Sequence, residues 1–281
     1  MKKTALLLAL LAIMIPSTLS AKKDTEDKVK IMSFNLRNGD SGDGTNAWSV
    51  RYAFTAMMID DVKPDVIGMQ EALDYQISYY PEVLNTYKYV GKGRDDGKKK
   101  GEYTAILYNT KTSSVVKWGM FWLSENPDKP GEGWDAAANR TCTWAIMKDK
   151  KSGNQYCVLN THLDEVGVIS RHNGISLILS KLSEINKDGL PVVFLGCFNV
   201  SQDDVCLSDV ESQMTNCRKS ADKTDGGITY NAWGKAAQQS QIDHVYYSGF
   251  SRCEEFSVLS KKYENRTFLS DHFPVMAVMV F

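Results

Sequence analysis

Five short polar motifs in this chain each follow an apolar stretch of the kind that forms a buried β-strand. They are Ser33-Phe34-Asn35, Gln70-Glu71, Asn160-Thr161-His162-Leu163-Asp164, Cys197-Phe198-Asn199 and Ser270-Asp271-His272. Polar side chains at strand ends are a common place for chemistry in a layered α/β domain. Their carboxylates and amides could supply oxygen ligands to a metal ion, and their imidazoles could bind or move protons.

The order of these motifs resembles that of the endonuclease/exonuclease/phosphatase family of metal-dependent phosphoesterases, which has the DNase I-like fold. Further motifs resemble an exported bacterial branch of that family: Gly93-Arg94-Asp95-Asp96-Gly97 leading to Glu102, Trp122-Leu123-Ser124 and Trp134-Asp135. The resemblance runs from about Val29 to Phe281. It departs at one position, because the fourth motif of the family is Gly-Asp-Phe-Asn and this chain has Cys197 in place of the aspartate.

The resemblance implies a site for a divalent cation. Hydrolysis of a phosphoester uses a metal to neutralise the phosphate, donors around its oxygens, and a base that activates water. Glu71 is expected to be the principal metal ligand, with Asn35 and Asp271 completing or supporting the site. Oxygen ligands of this kind favour Mg²⁺ or Mn²⁺.

The resemblance also assigns roles to two histidines. His272 is expected to hydrogen-bond or protonate the substrate phosphate and to be oriented by Asp243. His162 is expected to do similar work and to be oriented by Glu102, which places Glu102 among the substrate-binding groups. Such imidazole–carboxylate pairs fix the tautomer of the ring and raise its basicity.

Two more side chains complete the expected site. Arg140 matches an arginine that contacts phosphate, a task that suits the geometry of a guanidinium. Asn199 matches a residue that positions the attacking water or the phosphate. The remaining histidines, His172 and His244, are expected to be structural or surface residues.

Cys197 leaves three interpretations open. Loss of the general base alone costs about 10² to 10⁴ in rate, because the metal and the phosphate donors remain, and this favours a slowed hydrolase. The first alternative is a binding-only pseudoenzyme for a phosphorylated ligand. The second is a role for the thiol itself, as a ligand of a softer metal such as Zn²⁺ beside His272 or as a nucleophile. Cysteine phosphatases carry an arginine six positions after the cysteine, and Asp203 stands there.

The N-terminal segment and the composition limit the class of protein. Residues 1–21 have two lysines, an apolar core and small residues, which predicts a signal peptide, a domain over 22–281 and a periplasmic or secreted product without stable membrane insertion. The chain has 33 basic and 34 acidic side chains, so no strong nucleic-acid affinity is expected. The substrate is expected to be a phosphodiester or phosphomonoester, from a phosphorylated small molecule, a nucleotide or a lipid head group.

The elements that must position these residues can be predicted from periodicity. Strands are expected over 29–36, 65–70, 103–108, 115–123, 141–147, 156–161, 242–247, 254–259 and 274–280, and helices over 48–62 and from Val168 to near Gly189. The fold class is α/β, a four-layer α/β/β/α sandwich of two mixed sheets flanked by helices. Among the six cysteines, Cys206 could pair with Cys217 and Cys142 with Cys157, or all could be buried free thiols.

Overall fold

A computed structural model describes residues 26–236 and 240–281. The predicted signal peptide, residues 1–21, lies outside the described residues. Among those described, no helix is both long and apolar enough to cross a membrane.

Thirteen strands and five α-helices are present in the described residues. The strands are β1 (Lys28–Asn35), β2 (Val66–Gln70), β3 (Tyr87–Val90), β4 (Ile106–Asn109), β5 (Ser113–Trp122), β6 (Thr141–Asp149), β7 (Gln155–His162), β8 (Val192–Cys197), β9 (Thr215–Asn216), β10 (Lys223–Thr224), β11 (Asp243–Ser248), β12 (Arg252–Val258) and β13 (Val275–Val280). The helices are α1 (Trp48–Val62), α2 (Asp74–Val83), α3 (Val168–Ile185), α4 (Ser208–Glu211) and α5 (Cys217–Ser220). Short 3₁₀ turns occur at Gly44–Asn46, Val205–Leu207 and Ala232–Gly234.

The strands form two mixed sheets. The first has the order β10-β12-β13-β1-β2-β4-β3, and the second has the order β5-β6-β7-β8-β11-β9. In each sheet one central pair is parallel, β1 with β2 and β7 with β8. Because these pairs are parallel, their carboxyl ends meet at the same edge, which is where the polar motifs lie.

The alternation of side chains along the strands builds three apolar layers. In β1, Ile31 faces the second sheet and Met32 faces the helices, since successive side chains point to opposite faces. The core between the sheets includes Ile31, Val66, Val158, Val193 and Ala277. Helices α1 and α2 cover the outer face of the first sheet, and α3 covers that of the second. The predicted four-layer sandwich is confirmed.

Strand register brings the motifs together. Asn35 lies opposite Gln70 in the β1–β2 ladder, so Glu71 follows directly beside it. In the second sheet Cys197 lies between His162 of β7 and Asp243 of β11. Residues far apart in the chain thus share one edge of the sandwich.

Some predictions of local structure were incomplete or wrong. Helices α1 and α3 match the predicted ones, whereas α2 and β3 fall in a segment where no element was expected. The strand predicted over 103–108 begins only at Ile106, although Tyr103 forms isolated bridges to Ala72 and Gly93.

Neither suggested disulfide forms, and all six cysteines are free and buried. Cys142 lies opposite Thr161 in the β6–β7 ladder and Cys157 opposite Ile146, so about 14 Å of strand separates them. A disulfide needs Cα atoms within about 7 Å. Cys206 belongs to the core under α3, whereas Cys217 lies between the sheets.

Candidate active site

Glu71 projects from the end of β2 on strained backbone. Its φ is 60°, a left-handed conformation that is uncommon for a side chain of this size and often marks functional sites. Asn35 Nδ2 donates to Oε1 at 2.8 Å, and the backbone amide of Asn38 donates to Oε2 at 3.0 Å. The carboxylate is therefore fixed before any ligand binds.

The oxygen groups around Glu71 fit a hard divalent cation. Asp271 contributes a second carboxylate nearby, and its Oδ2 lies 3.6 Å from the guanidinium of Arg37. Asn35 was expected to complete or support this site, and its contacts are those of a supporting residue. The Oδ1 atom of Asn35 accepts from the Arg37 backbone amide at 3.0 Å, and its Nδ2 faces Glu71. Asn35 therefore holds Glu71 in place and does not offer an oxygen to a cation. As carboxylates, Glu71 and Asp271 would hold a divalent cation.

His272 and Asp243 form the predicted imidazole–carboxylate pair. His272 Nδ1 lies 2.8 Å from Asp243 Oδ2, and both side chains are buried. Burial lowers the pKa of His272, but the charge and hydrogen bond of Asp243 outweigh it and raise the pKa to about 9. The ring is therefore an imidazolium at neutral pH. Tyr230, which the motifs did not indicate, packs edge-on against it with ring centroids 5.1 Å apart.

His162 has a different environment from His272. Arg140 Nη1 lies 3.3 Å from its Nδ1, and Asn199 Nδ2 lies 3.2 Å from its Nε2. Burial, followed by the charges of Arg140 and Arg94, holds the pKa of His162 well below its usual value. Burial and the adjacent guanidinium disfavour a charged ring, so the imidazole is neutral, and its Nδ1 accepts from Arg140.

The predicted orientation of His162 by Glu102 is wrong. Glu102 Oε2 lies 2.6 Å from Arg94 Nη1, and its Oε1 accepts from Asn38 Nδ2 at 2.8 Å. Glu102 nevertheless lines the same cleft as His162. The physical reason is that the segment from Arg94 to Glu102 folds back on itself and pairs these two residues with each other.

Arg140 is held by the carboxylate of Asp164, a residue of the third motif to which no role was assigned. Its Nε donates to Asp164 Oδ2 at 2.9 Å, and both side chains are buried. Asp164 also accepts the backbone amides of Ala137 and Gly167, at 3.1 and 2.7 Å. Asp164 therefore fixes the guanidinium beside His162.

Cys197 is buried at the position expected for a base. Its Sγ and the ligand atoms of Asp243 and His272 all lie within 4.8 Å of one another. Burial, and then the carboxylate of Asp243, raises the pKa of the Cys197 thiol well above its usual value. The thiol is therefore protonated at neutral pH and cannot accept a proton from water. Asn199 Oδ1 lies 3.7 Å from Sγ, and the φ of Asn199 is 56°.

A cleft of about 190 Å³ opens above these groups. Its walls come from both sheets and from loops, and its lining residues are Arg37, Asn38, Ser41, Glu71, Arg94, Glu102, Ala138, Arg140, His162 and Glu165. The expected groups Glu71, Arg140, His162 and Glu102 thus share one cavity. Cys197, Asp243 and His272 lie beside it, deeper in the sandwich.

The four-layer sandwich carries a fixed carboxylate, two imidazoles whose pKa values are shifted in opposite directions, and a buried guanidinium at one edge. This combination defines a class of phosphoester-binding α/β domains. Residues 32–272 match the model of the Endonuclease/Exonuclease/phosphatase family, and the chain belongs to that family. Its members are hydrolases that act on phosphoesters, which agrees with the groups assembled here.

Similar proteins are known from bacteria and from a virus. Two structures from Bacteroides thetaiotaomicron are each 34% identical to this chain, with TM-scores of 0.86. One is an endonuclease/exonuclease/phosphatase family protein, and the match covers 91% of this chain and 98% of that protein. The other is a mannosyl-6-phosphatase, and the match covers 90% of this chain and 100% of that protein. An uncharacterized protein of Acanthamoeba polyphaga mimivirus is 25% identical over 82% of this chain and 91% of its own length.

Proposed function

We propose that this chain is an exported, divalent-metal-dependent phosphoesterase whose turnover is attenuated by Cys197. The observation that carries the proposal is the convergence of Glu71, Arg140 and His162 on one cleft, with the His272–Asp243 pair beside it. Carboxylate, guanidinium and imidazolium together supply what phosphoryl transfer to water requires, apart from the base.

Each group has a role that follows from its charge and its partners. A cation held by Glu71 and Asp271, Mg²⁺ or Mn²⁺, would neutralise the phosphate charge. Arg140 is anchored by Asp164 and binds a phosphate oxygen. His272, as an imidazolium, donates to another oxygen, and the neutral ring of His162 completes the polar wall.

The nature of the substrate is supported by similarity and by charge. One of the most similar structures carries the name mannosyl-6-phosphatase, which favours a small phosphorylated sugar among the expected substrate classes. The near-neutral balance of 33 basic and 34 acidic side chains disfavours a general nuclease. A binding-only protein is the second candidate, because the buried thiol of Cys197 cannot take up a proton.

Replacement of Glu71 tests the metal site. We expect Glu71→Ala to abolish Mg²⁺ or Mn²⁺ binding measured by calorimetry, together with hydrolysis of para-nitrophenyl phosphate and bis-para-nitrophenyl phosphate. Glu184→Ala, an exposed carboxylate on α3, is the matched control and should leave both unchanged. Unchanged metal affinity in folded Glu71→Ala would remove Glu71 from this role. A metal-binding wild type that hydrolyses neither compound nor mannose 6-phosphate would favour the binding-only candidate.

A further inference from the structure

The segment from Gly93 to Glu102, here called the arginine hairpin, contributes Arg94 and Glu102 to the cleft, and the roles assigned to the phosphate-binding groups do not use this pair. Four backbone hydrogen bonds close it, each 3.0 Å long, with the amide named first: Gly93 to Lys98, Arg94 to Glu102, Asp95 to Lys100, and Gly97 to Gly93. The φ of Gly101 is 78°, and a Cβ there would lie 2.5 Å from the Asp95 carboxyl group. The sequence thus builds a tight and specific loop.

Neighbouring side chains fasten the arginine hairpin to the sandwich. Trp122 Nε1 donates to the carbonyl oxygen of Arg94 at 2.6 Å. The hydroxyl of Tyr103 donates to Asp74 on α2 at 2.8 Å, and its oxygen lies 3.1 Å from the carbonyl oxygen of Lys98. The hairpin is therefore preorganised, which lowers the entropic cost of ordering groups around a ligand.

One ion pair of the arginine hairpin lines the cleft. Arg94 and Glu102 are 2.6 Å apart and both line the cavity next to Glu71. Glu102 accepts from the side chain of Asn38, and the backbone of Asn38 holds Glu71. A continuous set of contacts thus links the hairpin to the expected metal ligand.

The lining of the cleft discriminates between ligand classes. Ala138 is the one apolar side chain among its lining residues, and His162, which is buried and held by Arg140 and Asn199, is the one aromatic ring. A nucleobase is usually held by stacking on aromatic or guanidinium planes, and an acyl chain needs apolar surface. Each of the three guanidinium groups in the lining is paired with a carboxylate: Arg94 with Glu102, Arg37 with Asp43, and Arg140 with Asp164. Adjacent donors and acceptors in a small polar cavity suit a compact molecule rich in hydroxyl groups.

We propose that Arg94 and Glu102 determine specificity by hydrogen-bonding sugar hydroxyls of a phosphorylated monosaccharide, with Asn38 linking them to Glu71. The inference rests on the proposed function, because it assumes that the phosphate lies between Arg140 and Glu71. Glu102 accepts from one hydroxyl, and Arg94 donates to a neighbouring one. A substrate with the same phosphate and no hydroxyls gains nothing from this pair.

Two substrates separate recognition of the sugar from recognition of the phosphate. Mannose 6-phosphate carries hydroxyls, whereas para-nitrophenyl phosphate does not. We expect Glu102→Gln and Arg94→Gln to lower kcat/KM for mannose 6-phosphate by roughly tenfold to a hundredfold, the loss typical of a hydrogen bond to a charged group. The ratio of kcat/KM for mannose 6-phosphate to kcat/KM for para-nitrophenyl phosphate should fall by roughly tenfold or more, since any loss through Asn38 and Glu71 acts on both substrates and cancels in the ratio.

The control lies on the same loop. Lys99→Gln removes an exposed ion pair with Asp74 and should leave both substrates unaffected. Arg94→Lys keeps the charge and provides a second variant if Arg94→Gln does not fold.

Equal losses on both substrates would overturn the inference, because the pair would then act on the phosphate or on the structure of the site. Unchanged kcat/KM for both substrates would also overturn the inference. If the wild type hydrolyses neither compound, the proposed function fails by itself. Calorimetry with mannose 6-phosphate and with phenyl phosphate then tests the inference alone, and it fails if Glu102→Gln does not weaken the sugar phosphate selectively.

Discussion

At the scale of single residues, Cys197 stands where the proposed function requires a proton acceptor, among the other groups expected for the site. The thiol lies beside Asp243 and His272, where a group that accepts a proton is expected. Burial and the carboxylate of Asp243 both raise the pKa of the thiol, which keeps it protonated. The neighbouring groups keep their partners, His272 with Asp243 and His162 with Asn199, so the proposed attenuation rests on one side chain.

Replacement of Cys197 by aspartate tests this explanation. We expect Cys197→Asp to raise phosphoesterase turnover with Mg²⁺, by a factor within the ~10² to 10⁴ that a general base supplies. Steady-state kinetics on one substrate with several metals provides the measurement. A binding-only protein with other defects would gain little. A folded variant with lower activity than the wild type would contradict our account and would favour a thiol that acts itself, as a ligand of Zn²⁺ or as a nucleophile.

The pair of His272 and Asp243 should behave as one functional unit. Their atoms are 2.8 Å apart, and Asp243 keeps the ring charged, so removal of either partner disables the same interaction. We expect His272→Ala and Asp243→Ala each to lower kcat/KM, and the double variant to lower it little further. Losses that multiply in the double variant would show that the two act independently.

The motifs predicted the individual groups of the site better than their partners. Glu71 directly follows β2 and His162 ends β7, which are local features of the sequence, whereas His272 lies just before β13 and not after a strand, contrary to the expectation for its motif. The partner of Glu102 was missed because the Arg94–Glu102 contact depends on how the arginine hairpin folds back. Asp164 lay inside a motif, yet nothing local indicated that it would hold Arg140 across 24 positions of the chain.

At the scale of elements, the long periodic segments were predictable and the short ones were not. Helices α1 and α3 carry apolar residues at helical spacing over 15 and 18 residues. In contrast, α2 contains Pro81, a residue that normally argues against a helix interior, and β3 has only four residues. Packing on the first sheet, through Ile77 and Tyr80, outweighs the cost of the proline.

Strand β8 depends on a glycine immediately before Cys197. Gly196 has a φ of 150°, and a Cβ there would lie 2.0 Å from the carbonyl oxygen of Thr161 on β7. We expect Gly196→Ala to separate β7 from β8, and to lower the free energy of unfolding by about 1–3 kcal/mol or more through backbone strain. Urea unfolding measures the loss. Gly153→Ala is the control for φ alone, because that glycine also has positive φ and has open space around its Cβ. Equal stability of the two variants would contradict the proposed clash.

At the scale of the whole molecule, the site exists only where the two sheets meet. Asn35 and Glu71 belong to the first sheet and its edge, whereas His162, Cys197 and Asp243 belong to the second. Apolar contacts between the sheets are not directional, so they resist separation better than they fix alignment. A polar contact near the site supplies direction: Asn160 of β7 donates to the carbonyl oxygens of Met69 and Ala105 on the first-sheet side, at 2.9 and 2.8 Å.

Replacement of Asn160 should therefore affect catalysis beyond its effect on stability. The side chain of Asn160 also accepts from Gln70 Nε2 at 2.7 Å. Gln70 directly precedes Glu71, and Asn160 lies two residues before His162, so this contact joins the two halves of the site. We expect Asn160→Ala to lower the free energy of unfolding by about 2–4 kcal/mol, through lost hydrogen bonds and a cavity. It should also lower kcat/KM at least tenfold under conditions where the variant is fully folded, because misplacement by an ångström can cost about a hundredfold in rate. Val158→Ala is the matched control, because Val158 lies on the same strand and in the same core between the sheets. Its truncation should lower the free energy of unfolding by a similar amount, about 2–4 kcal/mol, and leaves the polar contact in place. Similar activity in the two folded variants would mean that apolar packing alone aligns the sheets, and that the polar contact between them contributes only to stability.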